Sequence, residues 1–268
     1  MSLIKRTATA AVLLAAVFAV VQYAPDWAFF ILGMVFVVAA MAEFYDLVGR
    51  SGARPQKVLG IGLGLLVSLA FCLKPVPLEA GLLAALLVAG VAFVATVDTA
   101  EKLAAFPSSI AITLFGVLYI GFTLSFLFRV RVEMGPFYLY FLAAIVFLGD
   151  TGAFFIGKTF GRHKMTPVAS PNKTWEGSAG GILFALAGAV LARAVLRLDV
   201  SLGMTALTAV LVHAAAQVSD PLESLFKRAV GVKDSSNALP GHGGFLDRID
   251  SLILAGPLFY FIVKYLWK

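Results

Sequence analysis

Pro136-Phe-Tyr-Leu-Tyr-Phe-Leu-Ala-Ala-Ile-Val-Phe-Leu-Gly-Asp150-Thr-Gly-Ala-Phe-Phe-Ile-Gly157 holds a single charged side chain, Asp150. A helix crossing the hydrocarbon core of a bilayer needs about 20 mostly apolar residues, and this stretch supplies them. Blocks of the same kind recur along all 268 residues, of which 60% are hydrophobic and 13% charged, with a mean hydropathy of +0.95. A soluble domain would carry roughly 25% charged residues. The composition therefore predicts an all-α, polytopic transmembrane protein of about nine spans.

The predicted spans are 7–22, 27–47, 58–73, 79–97, 108–128, 136–157, 177–194, 202–222 and 249–266. The first follows Lys5 and Arg6 as a secretory signal would, but no small-residue cleavage site follows it, and we read it as an uncleaved helix. Cys72 lies in an apolar run and reads as a small packing residue. We divide the chain into an N-terminal helical region, 1–130 (spans one to five), and a C-terminal catalytic region, 131–268. The second region holds spans six to nine with loops 158–177 and 223–248. With the N-terminus in the cytoplasm, inside loops outnumber outside loops in Lys and Arg by roughly two to one, the expected bias. That bias, with phosphate ligands and anionic headgroups, accounts for the net charge of +6 without nucleic acid.

This topology gathers Glu43, Asp46, Asp150, Asp220, Glu223 and Asp250 at the cytoplasmic ends of spans two, six, eight and nine. Carboxylates at membrane depth are costly and face a bundle interior or a wet cavity. A transporter would place polar groups near the midplane instead. Acids collected at one face suit a cytoplasm-facing active site.

The densest charge lies in Ser224–Asp250, which includes Lys227, Arg228, Lys233, Asp234, Pro240-Gly-His242-Gly243-Gly244, Asp247 and Arg248. Asp220 and Glu223, one turn apart and followed by two cations, suit a metal–phosphate site. The glycines allow backbone N–H groups to approach and cradle phosphate. Asp247 and Asp250 form a second acidic pair at i, i+3. Upstream, Ser170-Pro-Asn-Lys173-Thr174-Trp-Glu176 precedes a helix, where hydroxyls and an ammonium meet a terminus that attracts anions. The same residues also serve as an ordinary helix cap with a Trp anchor. His213 and Gln217 read as interhelical hydrogen-bond formers. Asp150 reads equally as a site acid or a buried anchor.

Ser224-x-x-Lys227-Arg228, Lys233-Asp234, Pro240-x-His242-Gly243-Gly244 and Asp247-Arg248-x-Asp250 resemble the signature of the phosphatidate cytidylyltransferases, or CDP-diacylglycerol synthases. The segment from Ser170 to Gly177 and the Gly-Asp150 end of span six are similar to that family too. Two departures are Pro221, which is expected to kink or end its helix near Asp220, and Ser236, where glycine is common.

The resemblance implies that CTP and phosphatidic acid give CDP-diacylglycerol and pyrophosphate, with Mg2+ as one ion or a pair. The setting it implies is phospholipid biosynthesis at a cytoplasmic (inner) membrane, with oligomeric state open, a homodimer included. It assigns metal to Asp220 and Asp247, with Glu223 and Asp250 adjacent. Lys227, Arg228, Lys233 and Arg248 take phosphate charge. Ser170, Lys173 and Thr174 clamp a phosphate group, and Ser224, Asp234, Gly243 and Gly244 line the substrate. His242 either donates to pyrophosphate or shapes its loop. The alternatives are a CTP-dependent enzyme acting on another membrane lipid (an ether-lipid cytidylyltransferase or a polyprenol kinase) and a phosphorylated-solute transporter.

Overall fold

The computed structural model describes residues 17–72, 77–238 and 243–267. Residues 17–23 are helical and nine α-helices follow, with one short antiparallel hairpin among the described residues. Seven helical runs are long and apolar enough to cross a membrane. The predicted first span lies mostly outside the described residues.

The chain divides into two compact units. One is drawn from the first 128 residues with Asp234–Arg248, the other from Arg129–Lys233 with Ile249–Lys268. In the first, α1 (Asp26–Gly49) starts after Pro25 and ends where the Ser51 hydroxyl donates to the Val48 carbonyl. Val37, Met41, Phe44, Tyr45 and Val48 recur on one buried stripe of it. α2 (Lys57–Cys72) comes close because Gly60 and Gly64, four residues apart, expose bare backbone to the Tyr45 ring and the Met41 thioether. α3 spans Leu78–Thr96.

α4 (Ala100–Gly116) begins at Thr99, whose hydroxyl accepts the Lys102 N–H at 3.2 Å. It runs without a break through a π turn (Val117–Phe122), α5 (Thr123–Arg129) and a second π segment (Val130–Met134). Hydroxyls hold the first π turn: Thr123 donates to the Tyr119 carbonyl at 2.5 Å and Ser125 to the Gly121 carbonyl at 2.6 Å. The predicted fifth span, 108–128, is thus extended at both ends, since Ala100-Glu-Lys-Leu-Ala-Ala favours helix although it is polar.

The second unit holds α6 (Pro136–Phe160), α7 (Trp175–Leu196), α8 (Leu202–Ala229) and most of α9 (Leu246–Leu266). Glycines set the α6–α7 contact: Gly152 faces Phe184, Gly180 faces Ile156 and Gly188 faces Leu148. The loop between these helices forms the hairpin β1 (Lys164–Thr166) and β2 (Ser170–Thr174), with Lys164 opposite Thr174. Of the two outcomes expected at Pro221, a kink or an end, the end does not occur: α8 continues to Ala229. Pro221 removes one N–H, but Leu222-Glu-Ser-Leu-Phe-Lys is strongly helix-forming and is braced by the Glu223–Lys227 pair at i, i+4.

A side chain at Gly60 would overlap the Tyr45 ring, which is fixed by its hydroxyl donating to the Thr113 carbonyl at 2.7 Å. Gly60→Leu should therefore lower stability by about 1–3 kcal/mol, the usual cost of overpacking, read as a drop in melting temperature in detergent.

Candidate functional site

In the second unit β2 carries Lys173 to the α8 acid Asp220, with Nζ 2.8 Å from Oδ2 and both side chains about a third exposed or less. The other Asp220 oxygen lies 3.5 Å from the Ser224 hydroxyl, one helical turn on. Asp150 from α6 accepts a hydrogen bond from the Ser251 hydroxyl at 3.3 Å. Asp250 from α9 accepts the Ser251 N–H at 2.7 Å, and its own carbonyl accepts from the Ser219 hydroxyl at 2.5 Å. Asp150, Asp220 and Asp250 lie close enough for their charges to repel one another. Three helices and a strand thus bring together residues that are 23 to 100 positions apart in the chain. Asp150, left open by the sequence, belongs to this group.

Glu223 and Lys227 form a buried ion pair along α8. Arg228 is engaged with backbone: Nε donates to the Ala169 carbonyl at 3.3 Å and Nη1 to the Val232 carbonyl at 2.7 Å. It ties the hairpin to the turn that ends α8. The Thr174 hydroxyl caps α7, accepting the Gly177 N–H at 3.1 Å. Glu176 holds the start of the hairpin, accepting the Arg162 N–H at 3.0 Å and lying 2.5 Å from His163 Nδ1. Ser170 lies in β2, half-buried, and Lys233 is exposed.

The first unit contains a polar cluster of its own residues. Asp247 Oδ2 accepts from the Ser235 N–H and hydroxyl, both at 2.9 Å, and from the Gly244 N–H at 2.8 Å. Glu43, buried on α1, accepts from the Ser235 and Ser236 hydroxyls at 2.9 and 2.6 Å. It also accepts from the Phe245 and Leu246 N–H groups at 3.0 and 2.9 Å. The Gly244 amide, which the sequence assigned to phosphate, is therefore taken by a carboxylate. Gly243 has φ of +79°, a conformation suited to glycine. Asp234 and Arg248 are exposed. His242 lies outside the described residues, as do Pro240 and Gly241.

Gln217 makes its expected bonds across to α7: Nε2 donates to the Ser178 carbonyl at 3.0 Å and Oε1 accepts from the Ser178 hydroxyl at 2.5 Å. His213 does not follow that expectation. It is fully buried in a slot left by Gly149 and Gly181, and neither ring nitrogen has a hydrogen-bond partner among the described residues.

A profile of the Cytidylyltransferase family matches residues 4–266. The chain belongs to that family. Among curated members of this cytidylyltransferase family, it is 39% identical over 148 residues to the phosphatidate cytidylyltransferase of Staphylococcus saprophyticus. The figures are 38% and 40%, each over 148 residues, for the enzymes of that name from Bacillus subtilis and Staphylococcus aureus. Each match covers 54–55% of this chain and 55–56% of the relative, so the chain spans little more than half the length of the curated relatives it matches.

No set of three or more His, Cys, Asp or Glu side chains among the described residues is arranged as a metal cage. Mg2+ does not need one, because it takes one or two carboxylates and fills its octahedron with waters and substrate phosphate oxygens. Asp150, Asp220 and Asp250 suit that donor set. With Glu223 they are four acids against Lys173 and Lys227, and mutually repelling carboxylates favour a cation.

The position of Thr174 separates a capping role from a clamping one. Thr174→Ala should cost about 1 kcal/mol of stability through loss of the α7 cap, whereas Thr174→Ser should melt close to wild type.

Proposed function

We propose that this protein is a phosphatidate cytidylyltransferase, converting CTP and phosphatidic acid to CDP-diacylglycerol and pyrophosphate. The observation that carries the reading is the Lys173–Asp220 pair beside Asp150 and Asp250, within a chain of the cytidylyltransferase family. An oxygen of the lipid phosphate attacks the α-phosphorus of CTP. The new P–O bond forms as the bond to the bridging oxygen breaks, and pyrophosphate leaves with that electron pair. A phosphomonoester is largely ionised at neutral pH, so no strong general base is required. Positioning and charge neutralisation are what such a transfer needs.

Asp150, Asp220 and Asp250 are the residues that would hold Mg2+. When bound, that ion supplies neutralisation of triphosphate charge. Lys173 is the ammonium best placed for a phosphate oxygen, since its partner Asp220 can exchange it for a metal. Lys227 keeps Glu223 neutralised inside α8. Arg228 holds the hairpin that carries Lys173 and leaves part of its guanidinium for an anion. The two-to-one Lys and Arg bias supports a cytoplasmic active site in the inner membrane, where CTP is available. The names of these relatives support phosphatidate as the lipid.

Purified protein in nanodiscs with CTP, Mg2+ and a panel of lipid acceptors tests the reading. CDP-diacylglycerol formed from phosphatidate in preference to a polyprenol or an ether lipid is the expected result. Product from another acceptor alone would move the protein to a sister activity, and no CTP turnover at all would sink the reading. Asp220→Asn should lower kcat/KM about 100- to 1000-fold, the scale for removing one electrostatic stabiliser. Chelation by EDTA should abolish turnover and added Mg2+ restore it; near-normal turnover in either case would overturn the metal assignment.

A further inference from the structure

Glu43 lies about 180 residues before the signature region and belongs to a span predicted on hydropathy. In the structure its carboxylate accepts four hydrogen bonds from two short segments. Oε1 takes the Ser236 hydroxyl and the Phe245 N–H, and Oε2 takes the Ser235 hydroxyl and the Leu246 N–H. Each oxygen therefore bridges the residues just before and just after the stretch that includes Pro240, Gly241 and His242. Phe245 and Leu246 open α9, so two of the N–H groups a helix start leaves without an intrahelical partner are satisfied by an acid from a remote helix. A negative charge there also suits the helix dipole. Asp247 completes the arrangement by holding Ser235 and Gly244. A Cβ on Gly244 would overlap the Ser235 hydroxyl and Glu43 Oε2, which leaves glycine as the residue that fits.

We propose that Glu43 is a positioning residue for the cytidylyl transfer, clamping Ser235–Ser236 to Phe245–Leu246 and so fixing the start of α9, the helix that carries Asp250. The proposal rests on the function given above. Glu43 touches neither substrate nor metal in this scheme; it acts through the backbone it holds. The geometry requires a carboxylate and not merely a polar group. A glutamine at this position presents one oxygen and one NH2, and whichever way it turns, a donor faces a backbone N–H and a serine hydroxyl. One backbone hydrogen bond is lost and its buried N–H is left unpaired. Ser236, which stands where related signatures often have glycine, strengthens the clamp by one bond in this chain.

The test compares full-length Glu43→Gln, Glu43→Ala and Ser236→Gly with wild type in nanodiscs, by kinetics, hydrogen exchange and melting temperature. Glu43→Gln should lower kcat about 10- to 100-fold, while KM for CTP stays within about threefold. Exchange at the amides of Phe245 and Leu246 should quicken about tenfold, and the rest of α1 should stay protected. Ser236→Gly should show a smaller change in the same direction, which a variant that simply misfolds would not. Unchanged kcat with unchanged exchange would overturn the proposal, as would a rise in exchange spread over the whole chain. The exchange arm needs no turnover. If wild type makes no CDP-diacylglycerol, the proposed function falls while the exchange at 244–246 still decides for or against the clamp.

Discussion

A carboxylate taken out of water must be met by hydrogen-bond donors or a cation, and much of this chain's polar architecture follows from that constraint. The protein is mostly apolar helix, whose backbone groups satisfy one another within each span. Its buried and half-buried acids cannot do so. Glu43 is met by two hydroxyls and two peptide N–H groups, Asp220 by Lys173, and Glu223 by Lys227. Asp150 and Asp250 share Ser251, through its hydroxyl and its N–H respectively. Removing Lys173 or Lys227 would strand a carboxylate, and Glu43 depends on its donors together, so the hairpin, the turn after α8 and the start of α9 are constrained as well as the helices.

The two kinds of solution imply different work. Where peptide N–H groups meet the acid, as at Glu43 and Asp247, the charge is consumed in holding backbone. Where lysines and like-charged neighbours meet it, as around Asp220, the balance is left negative and open to a cation. The two groups thus differ in the type of donor used, although both draw on residues of one signature.

The all-α, polytopic architecture was legible in the sequence because it depends on length and hydropathy, which are local. So were the signature cations and acids, which stand out against an apolar chain. The role of Glu43 was not legible, since its partners come from positions 235–246 and no period or spacing links them. The sequence placed Glu43 with the other acids at the cytoplasmic span ends, but gave no sign of what it would hold. The continuation of α8 past Pro221 was hidden for a different reason: one lost hydrogen bond was outweighed by a favourable run of residues and an i, i+4 pair. His213 was misread because its slot is made by the absence of side chains at Gly149 and Gly181, on two other helices.

The unbroken run from Ala100 to Met134 has a mechanical consequence. At 1.5 Å per residue its 35 residues extend about 50 Å, against roughly 30 Å of hydrocarbon. The helix must lean steeply or stand several turns clear of the lipid. Its first turn sits among the exposed Arg54–Glu101 and Asp98–Lys102 pairs, which suits an end standing in water. Bilayer thickness then sets how much of this rod emerges, at a cost of fractions of a kcal/mol per Å of mismatch.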